Sequence, residues 1–222
     1  MDTNNEDNQE EKNGENIPSV KITLLGNSGV GKTCIISRYT KGDYTDNSTT
    51  TRGADYSQKP IKVQHQILNL DIWDTAGQEQ YRSLGKHFYR DSFIVILVYD
   101  ITNRESFEDL KNVWYNDLKK FGEKYTVLAI VGNKSDMFEQ EVVNEEEGRK
   151  FAEEVNAIFM LVSAKNGDNI VNLFRILANK YLDPFFQDQI EEINQQNEGS
   201  VIIKKKGTND KGNKQNKRRG CC

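Results

Sequence analysis

Val20-Lys21-Ile22-Thr23-Leu24-Leu25 runs straight into Gly26-Asn27-Ser28-Gly29-Val30-Gly31-Lys32-Thr33, and this junction decides the fold. The first six residues read as a short apolar strand. The next eight fit G-x-x-x-x-G-K-[ST], and Lys32–Thr40, with Cys34 inside it, reads as the helix that follows. Glycines let the backbone curl so that its N–H groups point inward at phosphate oxygens, and the helix start adds the positive end of its dipole. Lys32 supplies charge to the outer phosphates, and the Thr33 hydroxyl can ligate Mg²⁺. Ser28, Gly29, Val30, Gly31, Lys32, Thr33 and Cys34 are therefore the expected phosphate-side contacts. A chance match somewhere in a chain of this length is on the order of one in a hundred, and the strand and helix flanks lower that further.

Outward from this junction the chain alternates strands and helices. Asp55–Val63 and Gln66–Trp73 read as strands joined by a minimal turn at Gln64-His65, hence an antiparallel hairpin. Phe93–Tyr99 (FIVILVY) is an unbroken apolar run, as a strand covered on both faces requires, and Val127–Val131 and Ile158–Val162 repeat that character. Amphipathic stretches at Glu105–Phe121, Asn144–Val155 and Ile170–Tyr181 read as helices. The expectation is an α/β fold of the P-loop NTPase kind. It has a six-stranded, mostly parallel sheet with one antiparallel edge strand, flanked by about five helices. Ligands of such sheets sit at the carboxyl ends of the strands.

The chain has 222 residues and a formal net charge of −4, so no overall basic field points to nucleic acid. The charge is unevenly placed. Residues 2–16 carry six acids against one base, and residues 200–222 carry eight bases against one acid. Neither end has the apolar residues to form a core. The expected organisation is an acidic, disordered extension over 1–17, a folded domain over 18–183 and a flexible basic tail over 184–222. Three cysteines make no disulfide framework, which points to a reducing setting. The amino-terminal stretch lacks the pattern of a signal peptide, and no apolar run reaches the 18 or so residues of a membrane span.

A phosphate loop alone leaves an ATPase, a kinase and a GTPase open. Asn133-Lys134-Ser135-Asp136 closes the Val127–Val131 strand, on the ligand edge. A carboxylate there can accept from guanine N1–H and N2–H₂, whereas adenine would leave it unpaired. Sites of this type discriminate by ~10⁴-fold or more. Ser163-Ala164-Lys165 ends the next strand, where a backbone N–H can meet guanine O6. Asp74-Thr75-Ala76-Gly77-Gln78 ends the Gln66–Trp73 strand. Asp74 can hold Mg²⁺ through water, the Gly77 N–H can meet a γ-phosphate oxygen, and Gln78 can orient an attacking water.

These motifs together resemble the Ras superfamily of small GTPases, and within it the Rab family most closely, over about residues 20–182. Thr51 lies 18 residues after Thr33, and Asp74 lies 23 after Thr51, as in that family. The resemblance implies that Thr51 ligates Mg²⁺ and touches the γ-phosphate, and that Tyr44 packs against the guanine ring. It implies an effector surface at Tyr56, Trp73 and Phe88, although core packing is an equal alternative for Trp73. It also implies two loops, about 44–54 and 76–89, that order around GTP. Hydrolysis would be slow until a partner supplies an arginine finger, with Arg52 and Arg82 the residues of the chain to consider. The sequence departs from the family pattern at Arg52, Gln64-His65, Gln80 and Asp91. His65 and His87 read as surface residues with no catalytic part.

The tail runs through Lys204–Lys206, Lys211, Lys214, Lys217, Arg218 and Arg219 to Gly220-Cys221-Cys222. By resemblance, Cys221 and Cys222 are geranylgeranylation sites, and two lipid chains give stable attachment where one is marginal. Val201-Ile202-Ile203 would dock an escort protein or GDP-dissociation inhibitor. The resemblance thus implies a monomeric switch that works with an exchange factor, a GAP and effectors. It would act on the cytoplasmic face of an endomembrane, with an endosomal site suggested by Glu141–Phe159. A GTP-binding scaffold without hydrolysis and a P-loop ATPase or nucleotide kinase are the competing readings.

Overall fold

The computed structural model describes residues 17–44, 54–75, 90–123 and 126–187. Thr51, Arg52, Gly77, Gln78, Gln80, Arg82, His87, Phe88 and the tail residues Val201–Ile203, Cys221 and Cys222 lie outside them, as do most of the two loops at 44–54 and 76–89.

In chain order the elements are β1 (Ser19–Leu25), α1 (Lys32–Lys41), β2 (Ala54–Val63), β3 (Gln66–Thr75), β4 (Ile94–Asp100), α2 (Arg104–Asp109), a π turn (Leu110–Trp114), α3 (Tyr115–Phe121), β5 (Val127–Asn133), a 3₁₀ turn (Ser135–Gln140), α4 (Glu145–Glu154), β6 (Ile158–Leu161) and α5 (Ile170–Tyr181). The six strands form one sheet in the order β2-β3-β1-β4-β5-β6. β2 is antiparallel to β3 and occupies an edge, and every other pairing is parallel. This is the expected architecture. The hairpin turns at Gln64, which takes a left-handed φ of 52°.

Strand β4 explains why the sheet needs cover on both sides. All seven of its residues are buried. Ile94, Ile96 and Val98 point into one core, with Ile35 and Tyr39 of α1 and Leu173, Phe174 and Leu177 of α5. Val95, Leu97 and Tyr99 point into the other, with Phe107 of α2, Leu110 and Trp114 of the π turn and Phe151 of α4. The alternation follows from the two-residue period of a strand. Each such side chain contributes roughly 1.5–3 kcal/mol by leaving water. Tyr39 and Phe174 stack face to face at 3.8 Å, tying α1 to α5.

Three features differ from the sequence reading. Strand β6 is only half-buried at all four positions, because it is an edge strand paired with β5 alone. The helix expected over Glu105–Phe121 is interrupted by the π turn, where Tyr115 N–H reaches back to Leu110 O. Packing also continues past residue 183: Phe186 is 8% exposed and its ring lies 6.2 Å from that of Tyr181. Asp91 adopts a φ of 60°, a left-handed conformation that glycine takes freely and aspartate tolerates, so the departure at this position is conformationally permitted.

The parallel strands all end on one edge of the sheet. The loops following β1, β4, β5 and β6 therefore emerge side by side, and together they build the site. No described helix is long and apolar enough to cross a membrane.

Candidate nucleotide site

The loop after β1 needs its glycines. Gly26 has a φ of 146°, and a Cβ there would lie 2.2 Å from the carbonyl oxygen of Val98. Gly31 has a φ of 93°, and its Cβ would meet Asn133 Nδ2 at 2.3 Å. The loop thus turns tightly against β4 while the Asn133 side chain passes directly behind it. Ser28 and Gly29 are exposed at its rim, whereas Val30 is buried.

Gly31 also opens α1. No side chain caps this helix, and its first turn carries no acid. By contrast, Asn103 caps α2 and an Asn144–Glu147 capping box closes the start of α4. First-turn N–H groups beside an inward-curled loop suit an anion, which the helix dipole favours.

Lys32 is 5% exposed. Its ammonium donates to the carbonyl oxygens of Gly26 at 2.8 Å and Asn27 at 2.9 Å. Burial pushes its pKa down to about 8, while the nearby Asp74 carboxylate pulls it back up. Thr33 Oγ1 donates to Asp74 Oδ2 at 2.6 Å. One oxygen from the start of α1 and one from the end of β3 therefore stand together beside the loop. Hard oxygens in this number suit Mg²⁺, which takes one or two protein ligands and completes its shell with phosphate and water. Among the described residues, no group of three or more His, Cys, Asp or Glu could hold a metal by itself. Cys34 is half-buried and packs on the core of α1 and α5.

The base side is assembled from the ends of β5 and β6. Asn133, 2% exposed, donates from Nδ2 to Val30 O at 2.8 Å and accepts from Ala164 N–H at 3.2 Å. It fastens the phosphate loop to the Ser163–Lys165 segment. Lys134 has a φ of 68° and its ammonium meets Asp100 Oδ2 at 2.6 Å. Asp136 accepts from Ser163 Oγ at 2.6 Å, and Lys165 Nζ lies 4.0 Å from its other oxygen. The carboxylate is held in place by groups that leave it accepting only. A base edge offering two adjacent N–H donors is its chemical complement.

Two residues important to this geometry, Arg38 and Asp100, belong to none of the sequence motifs. Arg38 Nε donates to Ala164 O at 2.9 Å, its Nη2 to Lys165 O at 2.5 Å and its Nη1 to Gly42 O at 2.7 Å. Its guanidinium carbon also lies 5.9 Å from the Tyr44 ring centroid. One side chain thus joins the base segment to the end of α1 and to Tyr44. In sequence, a base in the last turn of a helix signals only a favourable dipole. Asp100, which accepts from Lys134, did leave a signal: a carboxylate closing a fully apolar strand on the ligand edge.

Tyr56 and Trp73 face each other across the hairpin, with ring centroids 5.3 Å apart. Tyr56 is 47% exposed and its hydroxyl donates to Asp71 Oδ1 at 2.9 Å. Trp73 is half-buried and belongs to neither core, with Lys21 Nζ 5.5 Å from its ring. The two rings form a surface pair, and core packing does not account for Trp73.

Comparison with known proteins agrees with this arrangement. Residues 21–183 match the model of the Ras family. The chain is 32% identical over 204 residues to the GTP-binding protein YPT1 of Saccharomyces cerevisiae, covering 91% of this chain and 96% of that protein. It is 41% identical over 155 residues to the Ras-related protein Rab-22A of Homo sapiens, covering 70% and 79%. It is 37% identical over 189 residues to the Ras-related protein RabC of Dictyostelium discoideum, covering 84% and 95%. The match spans the phosphate loop, both base-side segments and every strand except the first two residues of β1, and the chain belongs to the Ras family as a Rab-type small GTPase.

Proposed function

We propose that the chain is a GTP/GDP switch whose bound nucleotide lies along the carboxyl edge of the sheet. The convergence of Lys32, Thr33 and Asp74 with Asn133, Asp136 and Ser163 on one edge carries this reading. The N–H groups of Ser28 to Cys34 take the phosphates, and Lys32, already braced by two carbonyls, neutralises their charge. Asp136 accepts from guanine N1–H and N2–H₂, the Ala164 N–H serves O6, and Lys134 and Tyr44 cover the ring faces. Thr33, Thr51 and Asp74 hold Mg²⁺, which when bound offsets charge on the phosphate oxygens.

In hydrolysis, Gln78 orients a water whose oxygen bonds to the γ-phosphorus. The bond from phosphorus to the β–γ bridging oxygen breaks, the electron pair leaves with GDP, and the water proton ends on inorganic phosphate. The Gly77 N–H and Thr51 sense the γ-phosphate and order their loops around it, so that the Tyr56–Trp73 pair and Phe88 present an effector surface only in the GTP state. The chain further divides into an acidic extension (1–17), the GTPase domain (18–183, with Phe186 still packed on its core) and a basic tail over the rest of 184–222. Geranylgeranyl groups on Cys221 and Cys222 would attach it to the cytoplasmic face of an endomembrane. Vesicle trafficking, with an exchange factor, a GAP, effectors, an escort and a GDP-dissociation inhibitor, is the process this fits.

Single-turnover hydrolysis of GTP tests the reading. The wild-type chain converts bound GTP to GDP, and Gln78→Leu keeps GTP bound at least tenfold longer. GTP that stays intact on the wild-type chain, even with a GAP, would make it a scaffold instead.

A further inference from the structure

The π turn at Leu110–Trp114 has no part in the site just described, yet it faces the phosphate loop. Asn27 Nδ2 donates to Asp109 Oδ2 at 2.6 Å, and Trp114 Nε1 donates to Asn27 Oδ1 at 2.7 Å. Both ends of one amide are therefore gripped by one helix, from residues 82 and 87 positions away. The carbonyl of the same asparagine is one of the two that hold the Lys32 ammonium.

The backbone explains how one helix makes both contacts. Asp109 and Trp114 are five residues apart. On an α-helix, residues so spaced point about 140° away from one another and cannot close on a single side chain. A π turn bonds i to i+5, which brings such residues round to the same side of the helix. The turn here is confirmed by Tyr115 N–H donating to Leu110 O. Phe107, Leu110 and Trp114 stay in the core while this happens, so the extra residue costs no burial.

We propose that the π turn is a mount for the phosphate loop, and that Asn27 is a positioning residue that sets the affinity for the β-phosphate of a guanine nucleoside diphosphate. The path runs from Asp109 and Trp114 through the Asn27 amide to its carbonyl, and from there to Lys32. The inference rests on the reading that residues 26–33 bind phosphate. The asparagine matters chemically because it must donate to a carboxylate and accept from an indole at once. An aspartate in its place would oppose Asp109 at hydrogen-bond distance.

The test uses the full chain and competition of GDP and GMP against a fluorescent GDP, with melting temperature measured alongside. Asn27→Asp should speed GDP dissociation about tenfold or more and lower the GDP:GMP affinity ratio by a similar factor. Asp109→Asn in that background should bring both to within about threefold of wild type, because the new amide donates to the introduced carboxylate, which still accepts from Trp114. Asn27→Leu, which removes both bonds at similar volume, gives the same loss of ratio should the aspartate variant fail to fold. An unchanged GDP:GMP ratio, or a loss that Asp109→Asn does not rescue, overturns the proposal. A wild-type chain that prefers GDP no more than GMP would instead refute phosphate binding by the loop itself.

Discussion

Arg38→Ala removes a side chain that ties the base segment to helix α1. The guanidinium makes one half-buried bond to Ala164 O and one exposed bond to Lys165 O, besides its local bond to Gly42 O. A charged donor bonded to a carbonyl contributes about 1.5–3 kcal/mol net, and solvent screening reduces the exposed member of the pair. The two bonds to the base segment together should be worth about 2 kcal/mol, or roughly 30-fold in affinity. Because the segment must be in place before the base docks, this loss should appear in the dissociation rate of GDP. A stopped-flow chase of fluorescent GDP by excess unlabelled GDP reads it directly. Arg38→Lys keeps the charge but cannot span both carbonyls with a planar fork, so it should lose about half the effect. An Arg38→Ala dissociation rate within twofold of wild type would refute the idea that this residue holds the base segment.

Three further outcomes follow from the same geometry. Asp100→Asn keeps the oxygen that accepts from Thr102 but loses the charge facing Lys134, and should lower the melting temperature by a few degrees, about 1–2 kcal/mol, in a thermal scan. Gly148→Ala places a Cβ 2.5 Å from both Tyr99 Oη and Phe159 Cε2, and overpacking of about 1–3 kcal/mol should outweigh the helix propensity gained, visible as a lower urea midpoint. For Lys32, a phosphate partner favours the charged form, whereas burial has lowered its pKa to about 8. GDP binding should therefore take up a proton above that pH, so affinity holds below about pH 8 and weakens above it. Calorimetry across pH 7 to 9.5 checks the sign, and affinity that rises in that window contradicts it.

The parts of the fold that were legible in the sequence are those fixed by local pattern. FIVILVY announces a strand buried on both faces because every residue is apolar, and the phosphate loop announces itself because its glycines and Lys32 are needed within eight residues. The contact of Thr33 with Asp74 was legible across 41 residues only because each belongs to its own motif. Asn27 and Arg38 were not legible: Asn27 fills an unspecified position of its motif and its partner Asp109, 82 residues away, belongs to none, whereas Arg38 belongs to no motif although its partner Ala164, 126 residues away, does. The π turn is hidden for a related reason. Phe107, Leu110, Trp114 and Leu118 have spacings of three and four that an α-helix also satisfies, so apolar periodicity does not distinguish the two. Half-burial of β6 depends on its being last in the sheet order, which a run of apolar residues does not state.

Selectivity for guanine underlies the rest, since it is what assigns the accepting carboxylate of Asp136 and the Ser163–Lys165 segment to the base. Competition against fluorescent GDP on the full chain measures it directly, with GDP, IDP and ADP as competitors. GDP should displace the probe stoichiometrically, IDP should be weaker because it lacks the 2-amino donor to Asp136, and ADP should fail at a thousandfold excess. Displacement by ADP at concentrations comparable to GDP would contradict the account.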